Sequence, residues 1–149
     1  MPEVTGIDHI YFSVSDLARA EAFYDRVLCE LLGFRKGGRF ALGGEPHVSY
    51  FNRRFGIVLR PARVATPHEP YAPGLHHFCL RVESAADVEA VAQALAAAGI
   101  AATPARLYPE YAPDYVATHF TDPDGLRLEV TNYRAERRER FERWDDLAR

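Results

Sequence analysis

The sequence predicts an α+β fold made of two copies of a strand–helix–three-strand module. Residues 8–17 (DHIYFSVSDL) and residues 76–85 (HHFCLRVESA) both alternate like a strand, begin at a histidine and end in polar residues typical of a helix start. A segment with helical periodicity follows each of them, and strand-like segments separated by turns follow each helix. The histidines His9 and His77 lie about half a chain length apart, so the two modules fill the chain.

Each predicted helix carries its own start and end signals. Apolar residues recur at helical spacing over Leu17–Leu32, and again between Val88 and Ala98. The signals are Ser15 or Asp16 as N-cap and Gly33 as terminator for the first helix, and Ser84 with Asp87 and then Gly99 for the second. Matching boundaries after matching strands strengthen the case for a repeat.

The remaining strands are predicted from alternation between turn residues. In the first module they are 33–38, 39–42, 47–52 and 56–60, with a turn at 43–46; in the second they are 100–107, 115–121 and 126–132. Asp122-Pro123-Asp124-Gly125 is a strong hairpin signal, because Pro presets one turn angle and Gly supplies the positive one. Four prolines within 61–73 mark that stretch as the connector between modules.

We therefore expect residues 1–149 to form a single domain. Module one covers about 6–60, module two covers about 75–133, and a charged C-terminal tail covers 134–149. In the tail Phe141, Trp144 and Leu147 recur at helical spacing. This pattern suits an amphipathic helix docked by its apolar face or a contact with a partner, and docking is the commoner case.

Composition excludes several classes of function. The chain has 21 acidic and 18 basic residues and a net charge of −3, with no basic half, so we expect no nucleic-acid partner. The N-terminus lacks the pattern of a signal peptide and no apolar run is long enough to cross a membrane. Cys29 and Cys79 are accordingly expected as free thiols in a cytoplasmic protein.

Period-two alternation separates two faces in three of the predicted strands. The polar faces carry His9, Tyr11 and Ser13 in the first strand, His77, Cys79 and Arg81 in its repeat, and Arg127, Glu129 and Thr131 in the last strand. The opposite faces are apolar and suit burial under a helix. A polar face of this kind is either exposed to solvent or part of a site, and the repetition of the histidine favours a site.

The residues resemble the vicinal oxygen chelate superfamily, which includes glyoxalase I, extradiol dioxygenases, fosfomycin-resistance enzymes and bleomycin-binding proteins. The motifs are Asp8-His9-Ile10, Ser15-Asp16-Leu17, Ala22-Phe23-Tyr24, Leu31-Leu32-Gly33-Phe34, Leu75-His76-His77-Phe78, Asp122-Pro123-Asp124-Gly125 and Leu128-Glu129. They extend over roughly residues 6 to 133. The resemblance implies two paired β-α-β-β-β modules forming a curved eight-stranded mixed sheet around a metal cup, and it implies a homodimer.

In that family the metal ligands come from the first and last strands of each module. The resemblance therefore implies His9, His77 and Glu129 as ligands of one divalent metal ion, either Fe, Mn, Ni, Co or Zn. The fourth family position falls near Val58, which cannot bind a metal and so disfavours a glyoxalase I reaction. The sequence leaves open whether the ligands meet within one chain or across a dimer.

Further site residues follow from strand parity and from the same resemblance. His119 stands where extradiol dioxygenases suggest a tyrosine, and with Tyr115 it is the candidate catalytic residue; a histidine merely hydrogen-bonded at a strand end is the alternative. The candidate substrate contacts are Tyr11, Arg60, Cys79, Arg81 and Tyr111. The aromatic loop Tyr108–Tyr115 either closes over the site or packs on the sheet edge.

The expected function is that of a divalent-metal-dependent enzyme acting on a small molecule that chelates the metal through neighbouring oxygens. Dioxygenase-like and isomerase- or lyase-like reactions both fit three ligands that leave open metal positions. One alternative is a lactoylglutathione lyase-type glyoxalase. The other is a metal-free drug-binding protein similar to the bleomycin-resistance relatives, which the histidines and Glu129 argue against.

Overall fold

The structure is a computed structural model that describes residues 2–147. The chain divides into two compact units. The first unit runs from the N-terminal residues to His68 and includes the turn Asp122–Gly125, and the second consists of Glu69–Thr121 and the residues from Leu126 onward. Each unit holds one four-stranded mixed sheet with a helix between its first and second strands, which confirms the predicted α+β fold of repeated β-α-β-β-β modules.

The first unit contains one helix and the first four strands. Its elements are β1 (His9–Val14), α1 (Leu17–Tyr24), β2 (Arg35–Leu42), β3 (Glu45–Phe51) and β4 (Gly56–Pro61). The sheet order is β1-β4-β3-β2, with β1 parallel to β4 and antiparallel pairing elsewhere. Phe12 and Val14 of β1 are buried, as their apolar parity predicts.

The second unit repeats this topology. Its elements are β5 (His77–Val82), α2 (Ala85–Ala97), β6 (Arg106–Leu107), β7 (Val116–Thr121), β8 (Arg127–Asn132), α3 (Ala135–Glu142) and a short 3-10 helix (Trp144–Asp146). The sheet order is β5-β8-β7-β6, and β5 is parallel to β8. Helix α2 packs on this sheet through Val88 and Leu95, both fully buried. Over residues 2–147, none of the helices has the length and apolar character needed to cross a membrane.

The predicted helix signals act as expected. Asp16, rather than Ser15, is the N-cap of α1, and its carboxylate accepts a hydrogen bond of 2.9 Å from the Arg19 backbone N–H. Ser84 and Asp87 form a reciprocal capping box at the start of α2. Gly99 has a φ of 72° after α2, a conformation that only glycine adopts at little cost.

The first helix departs from its prediction after Tyr24. A single helix was expected over 17–32, but α1 ends at Tyr24 and a π-helical segment continues over Asp25–Leu31. Val27 and Leu28 of this segment are fully buried, so the apolar face continues through it. Sequence periodicity of 3.6 does not distinguish a π-helical continuation from an α-helical one over seven residues.

Three strands have bounds that differ from the predicted ones. The segments predicted over 33–38 and 39–42 form the single strand β2, whose register shifts between Lys36 and Gly38. The segment predicted over 100–107 forms only the two-residue β6 and an isolated bridge from Ala102 to Phe120, because Pro104 lies between them and has no N–H to donate. Pro46, placed in a turn, belongs instead to β3. It is tolerated there because β3 pairs only with β2 at that point, and pairing with β4 begins at Val48.

The tail helix does not dock through its apolar residues. Phe141, Trp144 and Leu147 are 78%, 57% and 42% exposed, so the expectation of a helix packed by these three side chains was wrong. Arg138 holds α3 instead. Its guanidinium donates to the Glu83 backbone carbonyl at 3.0 Å and to the Glu83 carboxylate at 2.6 Å. Polar contacts, which periodicity does not report, therefore fix this helix.

A buried carboxylate ties α1 to β2 in the first unit. The Glu21 side chain is 9% exposed and accepts hydrogen bonds from Arg39 Nε at 2.9 and 3.1 Å, and Lys36 Nζ lies 2.7 Å from its Oε1. The Arg39 hydrogen bond, with Lys36 beside it, holds the pKa of Glu21 below its ordinary value of 4.5, although burial acts in the opposite direction. The carboxylate is therefore stabilised in its ionised form.

Replacing Glu21 by glutamine is expected to lower the free energy of unfolding at pH 7 by about 1–2 kcal/mol, because charge-assisted hydrogen bonds are lost. The Glu21 carboxylate binds a proton more readily in the unfolded state than in the native state, because its native pKa is lowered. Its contribution to the free energy of unfolding is therefore complete above pH 4.5 and is lost as the pH falls through the lowered pKa. Urea titrations at several pH values measure it. The difference between wild type and Glu21→Gln should shrink in acid; exposed Glu89→Gln is the control, and a constant difference would contradict the assignment.

Candidate metal and substrate site

The polar face of the second sheet is buried at Glu129 and Thr131, although His77 and Arg127 on the same face are exposed. The strand register pairs Cys79 of β5 and His119 of β7 with Glu129 of β8, so the three side chains share one face. Glu129 is 4% exposed and Thr131 is 6% exposed, although both belong to the face opposite the apolar one. A buried carboxylate on a polar face requires partners, and this favours a site over an ordinary solvated face.

A tyrosine hydroxyl and two imidazoles approach the Glu129 carboxylate. The Tyr115 hydroxyl donates a hydrogen bond of 2.5 Å to Oε1, and His77 Nε2 lies 3.3 Å from Oε2. His119 Nε2 lies 3.8 Å from Oε1. The two oxygens thus have different surroundings: Oε1 is engaged by the tyrosine, whereas Oε2 faces the imidazole of His77.

The donor atoms of His77 and Glu129 have a spacing that suits a shared cation. Two ligand atoms at ~2.1 Å from one ion in tetrahedral or octahedral geometry are ~3.0–3.4 Å apart. His77 Nε2 and Glu129 Oε2 fall within that range, and imidazole with carboxylate is a donor set for first-row divalent metals. Over residues 2–147, however, no group of three or more His, Cys, Asp or Glu side chains has the arrangement of a complete metal site.

His119 is held as a largely neutral imidazole. Burial lowers the pKa of His119, and this exceeds the opposing influence of the Glu129 carboxylate. The Tyr108 hydroxyl lies 3.3 Å from Nδ1, and the backbone N–H of His119 donates to Thr103 Oγ1 at 2.9 Å. A neutral, oriented imidazole beside a carboxylate is able to accept a proton near neutral pH.

Tyr115 and Cys79 both remain protonated beside Glu129. Burial and the hydrogen bond to Glu129 raise the pKa of Tyr115 well above that of an ordinary phenol, so its hydroxyl acts as a donor. Burial, followed by the Glu129 charge, raises the pKa of the Cys79 thiol to about 12. Cys79 is therefore a packed thiol near the carboxylate and not a thiolate nucleophile.

His77, Tyr115, His119 and Glu129 line a cavity of about 780 Å³ in the second unit, a volume typical of sites for small molecules, whereas Cys79 is not part of the lining. The described lining comprises His76, His77, Ala101, Ala102, Thr103, Tyr111, Tyr115, His119, Phe120, Thr121, Arg127, Leu128, Glu129, Arg134 and Arg137. Tyr111 is 65% exposed and stacks on buried Tyr108 at 5.8 Å between ring centroids. One end of the aromatic loop is thus packed while the other borders the cavity.

The remaining second-unit candidates have other surroundings. Arg81 places its guanidinium 4.0 Å above the ring of Tyr133, and the cavity lining does not include it. His76, directly before β5, is exposed and lines the cavity. Its Nδ1 lies 2.7 Å from Nδ1 of His77.

The first-unit candidates share one face of their own sheet. The register pairs Tyr11 with Val58 and Ser13 with Arg60. His9, with a side chain 55% exposed, places Nδ1 2.7 Å from Asp8 Oδ2. Arg60 forms an ion pair with Glu45, so its charge is already compensated. Within the first unit these residues line one side of the sheet, and the role of His9 as a ligand stays a prediction.

Sequence reasoning did not single out several residues of these two faces. His47 is 2% exposed, stacks on Phe40 at 5.1 Å and contacts the ring of Tyr11 at 5.9 Å. Its parity within β3 would have identified it. Arg134 and Arg137 line the cavity of the second unit from the tail, and no strand parity applies there.

Comparisons with known proteins identify the family and the fold of this chain. The sequence profile of the Glyoxalase/Bleomycin resistance protein/Dioxygenase superfamily matches residues 6–130. The chain is 30% identical over 136 residues to YaeR, an uncharacterized protein of Escherichia coli strain K12, covering 83% of this chain and 93% of YaeR.

Solved structures share the fold. A glyoxylase/bleomycin resistance protein/dioxygenase domain from Frankia sp. EAN1pec matches with a TM-score of 0.72 and 26% identity, covering 89% of this chain and all of that one. A mutant fosfomycin resistance protein, FosX, from Listeria monocytogenes, solved with Mn(II) and dihydroxypropylphosphonic acid, matches with a TM-score of 0.68 and 16% identity, covering 91% and 98%. The second likeness concerns the fold alone.

Proposed function

This chain belongs to the glyoxalase/bleomycin resistance/dioxygenase superfamily, and we propose that it is a divalent-metal-dependent enzyme acting on a small molecule with neighbouring oxygen atoms. The resemblance noted in the sequence is thereby confirmed at the level of the family. The reaction, either dioxygenase-like or isomerase- or lyase-like, belongs to the proposal. So do a homodimeric state and a cytoplasmic location.

The buried Glu129 carboxylate is the observation that carries the proposal. It is 4% exposed, and the groups around it are two histidines, a tyrosine hydroxyl and a thiol. A charge buried in this way is costly unless a cation compensates it. A divalent ion bound at Oε2 and His77 Nε2 would supply that compensation and would explain why the carboxylate lies beside a large cavity.

The side chains would have separate roles in such a site. His77 and Glu129 would hold the metal, with His9 as the third ligand implied by the family. Tyr115 donates a hydrogen bond to Oε1 and would orient the carboxylate, so that Oε2 would be available to the ion. A bound divalent metal polarises the oxygens of a chelating substrate. His119 is neutral and lies next to the same carboxylate. Its Nε2 would accept the proton that the substrate releases.

A lactoylglutathione lyase-type reaction is the weaker candidate. By resemblance it requires a carboxylate or amide near residue 58 as proton carrier. Val58 is 8% exposed and pairs with Tyr11 in the register, so an aliphatic side chain occupies that position on the strand. The metal-free drug-binding alternative offers no reason for a buried carboxylate between two histidines.

Metal analysis tests the proposal directly. Protein purified without chelators should contain about one divalent ion per chain, measured by inductively coupled plasma mass spectrometry. His77→Ala and Glu129→Ala should each lose it, and His9→Ala should lose it if His9 is the third ligand. His68→Ala, outside the proposed set, is the matched control.

Two outcomes would overturn the proposal or part of it. Metal content unchanged in the combined His9→Ala, His77→Ala and Glu129→Ala variant removes the ligand assignment. Tight binding of an aromatic drug such as bleomycin that persists in EDTA, from protein that never carries metal, supports the drug-binding alternative instead.

A further inference from the structure

We propose that the substrate of the second-unit cavity carries an anionic group, a carboxylate or a phosphoryl group, which Arg134 and Arg137 bind together with Arg127. The inference rests on the proposed function, because it names the substrate class of the same site. Strand parity places Arg127 on the polar face of β8, whereas Arg134 and Arg137 lie outside the strands and beyond the family match.

The cavity carries more basic than acidic side chains. Three arginines line it, whereas Glu129 is the single acidic residue among the described lining residues. The Glu129 carboxylate is already engaged by Tyr115 and faces His77. The cavity therefore has an excess of positive charge, and a divalent ion on Glu129 would increase it. Positive clefts with low-dielectric walls concentrate anions.

Arg127 and Arg134 contact side chains other than carboxylates. Arg127 Nη1 lies 3.2 Å from the Tyr71 hydroxyl and 3.3 Å from His76 Nε2. The Arg134 guanidinium lies 4.5 Å over the ring of Tyr115. Outside the cavity several arginines have carboxylate partners, including the ion pairs Arg39–Glu21, Arg60–Glu45, Arg63–Glu45 and Arg138–Glu83. Among the described residues, Arg127 and Arg134 have no ion pair with a carboxylate, so their charge is available to an anionic ligand.

Arg134 has an unsatisfied hydrogen-bond donor. Its Nε is shielded from solvent, and within the described part of the chain it has no hydrogen-bond partner. Such a donor is costly in a finished structure and often marks a position where a ligand or ion is missing. Arg guanidinium groups hold carboxylates and phosphates through two parallel hydrogen bonds, so a small shift of this side chain onto an anion would satisfy Nε.

The position of these arginines in the chain sharpens the inference. Arg134 immediately precedes α3 and Arg137 lies in its first turn, beyond the family match that ends at residue 130. The metal ligands belong to the matched domain, whereas two of the three anion-binding residues come from the tail. Metal binding and anion binding are therefore separable by mutation.

Matched ligand pairs test the proposal on the full-length chain. Isothermal titration of protein stripped of metal with EDTA compares benzoate with its neutral analogue benzamide. We expect benzoate to bind about tenfold or more tightly than benzamide, because charge-assisted bonds to arginine favour the anion. Phenyl phosphate distinguishes the two anion classes: stronger binding than benzoate assigns a phosphoryl group, and weaker binding assigns a carboxylate.

Variants locate the effect. Arg137→Gln, an exposed position whose change should leave the fold intact, and Arg134→Gln should each remove most of the preference for benzoate while leaving benzamide binding unchanged. Arg140→Gln, on the same helix but outside the cavity lining, is the control. Equal binding of benzoate and benzamide by the wild type, or a preference that survives both variants, overturns the proposal.

The contribution of the metal ion to ligand binding is measured in a separate titration. After reloading with Mn(II), 3,4-dihydroxybenzoate should bind more tightly than benzoate, and Glu129→Gln should abolish only that gain. A preference for benzoate, with no tighter binding of 3,4-dihydroxybenzoate after Mn(II) is added, would support the anion site and contradict the proposed metal function. A metal-dependent gain in affinity without a preference for benzoate would contradict the anion site alone.

Discussion

Replacing Glu129 by glutamine is expected to lower the affinity for divalent metal at least ~100-fold, since altering a residue that merely orients a ligand already costs 10–100-fold. Glutamine has nearly the same shape, and its amide oxygen still accepts the hydrogen bond from Tyr115. The change therefore removes the negative charge and the anionic donor Oε2, which lies 3.3 Å from His77 Nε2, without opening a cavity.

Thermal unfolding with and without metal measures this effect. The wild type should gain stability on addition of Mn(II), because an ion that binds only the native state shifts the unfolding equilibrium. Glu129→Gln should lose that gain while remaining folded, since a buried charge has been replaced by a neutral group. Exposed Glu139→Gln serves as the control. An undiminished metal-dependent rise in Tm in Glu129→Gln would exclude this carboxylate as a ligand.

Replacing Leu95 by alanine is expected to lower the free energy of unfolding by about 3 kcal/mol, within the range for buried leucines. Leu95 is 0% exposed on α2, the helix that packs on β7 and β8. These two strands carry His119 and Glu129 on their other face. The lost methyl groups cost their transfer free energy and leave a cavity beneath the site.

Urea denaturation monitored by circular dichroism tests this prediction. Leu107→Ala makes the same substitution at a residue that is 50% exposed, and it should change stability by no more than about 0.5 kcal/mol. Equal losses in the two variants would show that α2 does not form part of a specifically packed core. A larger loss in Leu95→Ala with retained metal content would separate the stability of the sheet from the chemistry of the site.

The sequence predicts those features of the fold that local chemistry decides. Asp16, Ser84 and the glycines after each helix mark boundaries because capping depends on a few neighbouring atoms. Strand parity correctly groups Cys79 and Glu129 on one face, because side chains alternate with a fixed period of two. The π-helical segment after Tyr24 was missed, because its residues show the same apolar spacing as an α-helix.

The details of the candidate site depend on contacts between distant residues. Alternation shows that Glu129 and Thr131 share a polar face but does not show that these two residues are buried. The contact between Tyr115 and Glu129 depends on the path of a loop, and the arginines of the tail belong to no repeated pattern. Phe141 is exposed, although helical periodicity predicted that it would pack against the rest of the chain. Periodicity does not identify the surface that a helix contacts.

The turn Asp122–Gly125 has a consequence for the order in which the chain acquires its structure. It belongs to the first unit, where the Tyr24 hydroxyl donates to Asp122 Oδ2 at 3.0 Å and the Ser15 backbone N–H donates to Asp124 at 2.8 Å. Tyr24 is 1% exposed. During synthesis this turn leaves the ribosome after every other part of the first unit. The Tyr24 hydroxyl therefore lacks its acceptor Asp122 until most of the second module has been synthesised.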